Sequence, residues 1–193
     1  MTAHPGPRSP WTRARSLARE TLLAVALLLA GCGSDPPKAL PYNRTDVMFL
    51  QMMLTYQGQA LKIVPLGAQR ASREDIRTLA AAVNVTQADE ATTMAGWLER
   101  WKQPLVADPD QSVHADHGGL RDTGADELAA LQAASGPDFD RKFLNLLIGH
   151  QHNSVEVARM ETAGGVNPQV RDLARRVDLS RTAQIQQMLG MLG

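Results

Sequence analysis

One nine-residue stretch occurs twice in this chain, and any fold has to accommodate both copies. Phe49-Leu50-Gln51-Met52-Met53-Leu54-Thr55-Tyr56-Gln57 returns, 94 positions on, as Phe143-Leu144-Asn145-Leu146-Leu147-Ile148-Gly149-His150-Gln151. Both obey F-L-x-x-[M/L]-[L/I]-x-[Y/H]-Q. The repeat is too long and too few-fold for a solenoid. It predicts one helix pair duplicated within a single domain, related by a pseudo-twofold axis. The copies differ where chemistry would sit, Tyr56 against His150.

The apolar spacing around each copy is helical. Phe49, Leu50, Met53, Leu54, Tyr56, Ala60, Leu61, Ile63 and Val64 recur in steps of three and four. Asn43 is the expected cap, with Asp46 three residues on. Pro65 lacks the N–H that would bond the Leu61 carbonyl, so a kink or an early stop is expected there. Ser72-Arg73-Glu74-Asp75 has a capping-box pattern and opens a second helix carrying Ile76, Leu79, Ala80, Val83, Met94, Trp97, Leu98 and Trp101, to about Lys102. Residues 103–135 form the crossover, with a short helix expected from Thr123 as cap to Ala134. Ser135-Gly136-Pro137-Asp138 starts the third long helix, which Gly164-Gly165 ends. Asn167-Pro168 starts the last, with Val170, Leu173, Ala174, Val177, Leu179, Ile185, Met188 and Leu192 as its apolar positions. Four long helices and no strand alternation predict an all-α four-helix bundle over residues 43–193, with repeat one at 43–102 and repeat two at 136–191.

Charge is zero overall but uneven. Residues 1–31 hold Arg8, Arg13, Arg15 and Arg19 against Glu20, leaving a weakly acidic body with few aromatics. That body has no electrostatic footprint for nucleic acid and few stacking platforms. The basic start precedes an apolar run, Leu22 to Ala30, too short to span a bilayer but suited to a secretory signal. Its end, Leu29-Ala30-Gly31-Cys32, resembles the bacterial lipoprotein lipobox. The resemblance implies cleavage before Cys32 and lipidation of that residue, the only cysteine of the chain. Residues 32–42, with Gly33, the pair Pro36-Pro37 and Pro41, are expected to be a tether. The location implied is extracytoplasmic, with the lipid as the contact to a bacterial membrane.

The duplicated stretch resembles a family of exported bacterial proteins called domain of unknown function 305. Its pattern is F-L-x-x-M-I-x-H-H-x-x-A-I-x-M-A, then a helix with Q-x-x-E-I-x-x-M-x-x-W, often present twice. Phe49 to Val64 is similar to the first segment. Gln87, Glu90, Met94 and Trp97 are similar to the second, and Leu128 to Ala158 matches the second half. The resemblance implies a ferritin-like bundle and metal binding, copper among others, through His and Met. The pattern His-His stands here as Tyr56-Gln57 in the first copy and His150-Gln151 in the second. Its Gln/Glu pair is Gln87 and Glu90 in the first copy and Arg181 and Gln184 in the second.

The residues themselves narrow the chemistry. A di-iron centre needs Glu-x-x-His on two helices, and none occurs. His150 lies on an apolar face, where a ligand would have to be, but a buried His bonded to Tyr56, Gln57 or Glu90 is the commoner arrangement. His114 and His117 flank Asp116 in the crossover, a set that suits zinc, copper or nickel but is otherwise a solvated loop pair. Met53 and its neighbours could supply thioethers for Cu(I), although Met more often fills helical cores. Trp97 and Trp101 form a stripe, either core or a patch for a protein partner. No nucleophile with an oriented base is visible. The expectation is a non-enzymatic binding or interaction module without a cofactor, whose polar cluster joins Tyr56, Gln57, Glu90, His150, Gln151 and Gln184. The alternative is a copper-type binding protein using His150, His114, His117 and Met53.

Overall fold

The computed structural model describes residues 41–110 and 123–193. The expected signal segment, Cys32, nearly all of the expected tether, His114 and His117 lie outside the described residues. Among those described there are five helices and no strand: α1 (Arg44–Arg70), α2 (Glu74–Arg100), α3 (Ala125–Ala133), α4 (Gly136–Gly164) and α5 (Pro168–Leu192). α1 pairs with α2 and α4 with α5, the two pairs meet along α1 and α4, and short α3 lies on α4. This is an all-α, ferritin-like bundle of two helix pairs. No helix of the described residues is long and apolar enough to cross a membrane.

The close approach of α1 and α4 depends on Gly67, where a Cβ would fall inside the Phe143 ring. α1 begins as its sequence dictates. The Asn43 side chain accepts from the Asp46 N–H at 3.0 Å, and the Asp46 carboxylate accepts from the Asn43 N–H at 2.6 Å. Asn167 caps α5 in the same manner, accepting from Gln169 and Val170.

Four local expectations are corrected. Of the kink or early stop expected at Pro65, the early stop does not occur: α1 runs on to Arg70, because Ile63, Val64 and Gly67 on either side of the proline are buried, and that packing outweighs one missing hydrogen bond. α2 has no capping box of its own. Ser72 donates from its N–H and hydroxyl to Asp140 of α4, at 2.7 and 2.5 Å, and Arg73 N–H donates to the same carboxylate at 3.2 Å. A buried anion from the other repeat thus satisfies the start of α2, where the helix dipole favours negative charge. Thr123 does not cap α3; Gly124 stands at the cap, and the Thr123 hydroxyl meets His150. Leu179 is exposed, on the outer face of α5.

The core is in two parts. One apolar cluster holds Ile63 and Val64 of α1, Ile76 and Val83 of α2, Phe139, Phe143 and Leu147 of α4, and Ile185 and Met188 of α5. The other holds Phe49, Leu50, Met52, Met53 and Tyr56 of α1, Met94 and Leu98 of α2, Val157 and Ala158 of α4, and Val170, Leu173, Ala174 and Val177 of α5. Along each long helix one cluster gives way to the other, between Tyr56 and Ala60 on α1, Val83 and Met94 on α2, Leu147 and Val157 on α4, and Val177 and Ile185 on α5, and polar residues stand in each of these stretches.

Candidate functional site

The crossing residues are Gln57 on α1, Gln87 and Glu90 on α2, Gln151 on α4, and Arg181 and Gln184 on α5. Gln57, Gln87, Gln151 and Arg181 are at most 2% exposed. Buried amides and charges require partners, and most find them in one another. Gln57 Nε2 donates to Glu90 Oε2 at 2.9 Å. Gln151 Nε2 donates to Gln184 Oε1 at 2.6 Å. These two bonds are the same bond in two copies: Gln57 and Gln151 are repeat mates, as are Glu90 and Gln184.

The remaining mates, Gln87 and Arg181, link the repeats differently. Gln87 Nε2 donates to Gln151 Oε1 at 3.4 Å. Arg181, fully buried, places its guanidinium on Glu90 Oε2 as an ion pair. Burial pushes the Glu90 carboxyl up from the ordinary carboxylate range, and the Arg181 charge opposes that rise. Burial likewise lowers Arg181, against the pull of Glu90. The layer is therefore two hydrogen-bonded groups: the amides Gln87, Gln151 and Gln184, and Gln57 with the internally neutralised pair Glu90–Arg181.

The structure gathers the expected cluster in part. Gln57, Glu90, Gln151 and Gln184 lie in the layer. Tyr56 packs into the second apolar cluster beside Met52 and Met53. His150, 6% exposed, turns its Nε2 toward the Thr123 hydroxyl on the α3 side. The expected set also lacked two members, Gln87 and Arg181. Their signal was in the sequence, since they stand 94 positions apart like the other mates. An arginine in a helical core is ordinarily discounted, because long charged side chains are seldom fully buried.

His150 borders a cleft of about 720 Å³ between α3 and α4, whose other walls include Glu127, Leu131, Asn145, His152 and Glu156. That volume is in the range of small-molecule and peptide sites. Met53 is fully buried among apolar side chains. Among the described residues no three His, Cys, Asp or Glu side chains converge on a point that could hold a metal. A cation at the mid-bundle layer would meet amides, which are weak ligands, and a fixed positive charge. The described residues do not fit one.

A family model, that of DUF305, a domain of unknown function, matches residues 46–192. The structure is similar to that of a DUF305 fragment from Deinococcus radiodurans, at 27% identity and TM-score 0.69, over 80% of this chain and 99% of that one. It is also similar to a DUF305 protein from Streptomyces coelicolor described as a candidate secreted protein, at 26% identity and TM-score 0.70, over 77% and 90%. CopM in its Cu(I)-bound form is similar at 25% identity and TM-score 0.62, over 77% of this chain and 96% of CopM. No curated protein matches the chain.

Proposed function

The chain belongs to the DUF305 family, and on that premise we propose that it is an extracytoplasmic, lipid-anchored module that binds a ligand or protein partner without catalysing a reaction. One observation carries this reading. The layer where paired His side chains would face each other is filled by the chain's own cation, Arg181, paired with Glu90. A metal ion there would have to displace or lie beside a guanidinium in a medium that screens charge poorly. Among the described residues, the cleft between α3 and α4, which His150 borders, offers an opening to a ligand. Export and anchoring rest on the basic start, the apolar run and Leu29-Ala30-Gly31-Cys32. The Streptomyces coelicolor relative agrees with export.

Calorimetric titration with Cu(I), Cu(II) and Zn(II) tests the first half, on chain carrying Cys32→Ser so that no thiol competes. The expected result is no stoichiometric uptake of sub-micromolar affinity. One equivalent bound tightly, and lost on His150→Ala, would overturn it. Fractionation tests the second half: the wild type belongs with membranes, and Cys32→Ser should be unprocessed or soluble.

The likeness to CopM favours a second reading, in which copper binds through His150 and Met53 with His114 and His117. The same titration separates the two. On the second reading, uptake survives changes in the mid-bundle layer and fails when the His residues are replaced.

A further inference from the structure

The mid-bundle layer leaves unused a second buried polar group, at the end of the bundle where the described chain begins. Asp46 in the first turn of α1 and Glu161 in the last turn of α4 are both fully buried. Asp46 accepts three backbone N–H groups: Asn43 at 2.6 Å, Val166 at 3.3 Å and Asn167 at 2.9 Å. The last two belong to the turn between α4 and α5. Two further bonds tie the same joint, Asn43 Nδ2 to the Gly164 carbonyl at 2.8 Å and Asn167 Nδ2 to the Pro41 carbonyl at 3.2 Å.

Glu161 is the anomaly. No N–H or O–H donor of the described residues reaches either of its oxygens; its carboxyl lies against Gly165, in the same turn whose next two N–H groups hold the Asp46 carboxylate. Two acceptors in contact, both out of water, repel unless a proton lies between them. Asp46 is already served by three donors, so the proton resides on Glu161 and is donated to Asp46. Gly165 makes the arrangement feasible, because a Cβ there would fall on the Glu161 carboxyl.

We propose that Asp46, Glu161 and the Val166–Asn167 backbone form a proton-locked clasp, which fastens the α4–α5 turn and the entering chain to the start of α1 and tightens as the surroundings acidify.

The direction follows from proton linkage. Burial, and then the neighbouring Asp46, push the Glu161 carboxyl up to about 9. Arg171 of α5 opposes this; one of its guanidinium nitrogens bonds the Thr162 carbonyl and its Nε reaches no acceptor among the described residues. In the opened joint Glu161 regains the ordinary range of a carboxyl, so between those limits the closed form holds one proton more than the open form. The locking contribution is complete at acid pH and is lost as pH rises toward about 9. An exported protein exposed to its surroundings would meet that range, and this clause alone rests on the export reading; the clasp itself does not.

Amide hydrogen exchange on the full chain in detergent tests the clasp. After correction for intrinsic exchange, the opening equilibrium of the Val166 and Asn167 amides should rise by about tenfold per pH unit between pH 5.5 and 7.5. Glu161→Gln supplies a permanent donor to Asp46 and should leave those amides protected at a level independent of pH. Equal pH slopes in both chains, or none in the wild type, would overturn the proposal. Should the variant fold poorly, infrared titration of the wild type decides: a protonated-carboxyl band present at neutral pH and absent at pH 10 supports the clasp, and no such band refutes it. Failure here leaves the copper titration untouched, so the two readings fall separately.

Discussion

Glu90 and Glu161 are withdrawn from water, the first mostly and the second completely, and they are accommodated in opposite ways. Glu90, mid-bundle, is neutralised by a guanidinium from the other repeat. Glu161, at the bundle end, lies against another carboxyl and is neutralised by a proton. Burial pushes both carboxyls upward. The neighbour then decides whether the group stays an anion with a fixed partner or becomes an acid sensitive to pH. The first arrangement specifies which helices meet, since Glu90 and Arg181 come from different halves. The second makes one joint respond to its surroundings.

The largest expected effect breaks the first arrangement. Arg181→Met leaves the mostly buried Glu90 without its cation and should cost up to about 3–5 kcal/mol in urea unfolding. The double variant Arg181→Met/Glu90→Gln should recover most of that loss. A double variant as unstable as the single one would show that Arg181 acts by packing and not by charge.

Glu161→Gln sharpens the contrast, because its effect depends on pH. The folded-state value of Glu161 is raised, to about 9, so its contribution is complete below the unfolded value and fades as pH rises through the window up to 9. Relative to wild type, the variant should therefore gain up to about 1.4 kcal/mol per pH unit between pH 5 and 8. Parallel stability curves for the two chains would contradict the shared proton.

Gly165→Ala separates the two sites sterically. It should push the Glu161 carboxyl away from Asp46, at a cost of about 1–3 kcal/mol, and flatten the pH dependence while leaving the mid-bundle pair intact. His150→Ala should have the smallest effect, about 1–2 kcal/mol, by leaving the Thr123 hydroxyl without its ring partner. A larger loss accompanied by release of a bound metal would favour the copper reading instead.

The helices were legible because apolar spacing and caps are local. Asn43 and Asn167 bond to N–H groups within three residues. The duplication was legible for a related reason: both copies carry the same face, so the Gln57–Glu90 and Gln151–Gln184 bonds repeat at the same separation in sequence. Contacts between helices were another matter. Pro65 has the sequence of a break, yet α1 continues through it because its flanks pack on α4. Ser72 has the sequence of a local cap, yet it is satisfied by Asp140, 68 residues away. By itself, then, the sequence determined an all-α bundle of two related helix pairs and the level at which its polar residues gather. The tertiary structure alone decided that Arg181 neutralises Glu90 and that Asp46 faces Glu161. Charge pairing depends on distances of a few ångströms between helices and on how much water remains there, and neither quantity is written in the period of a helix.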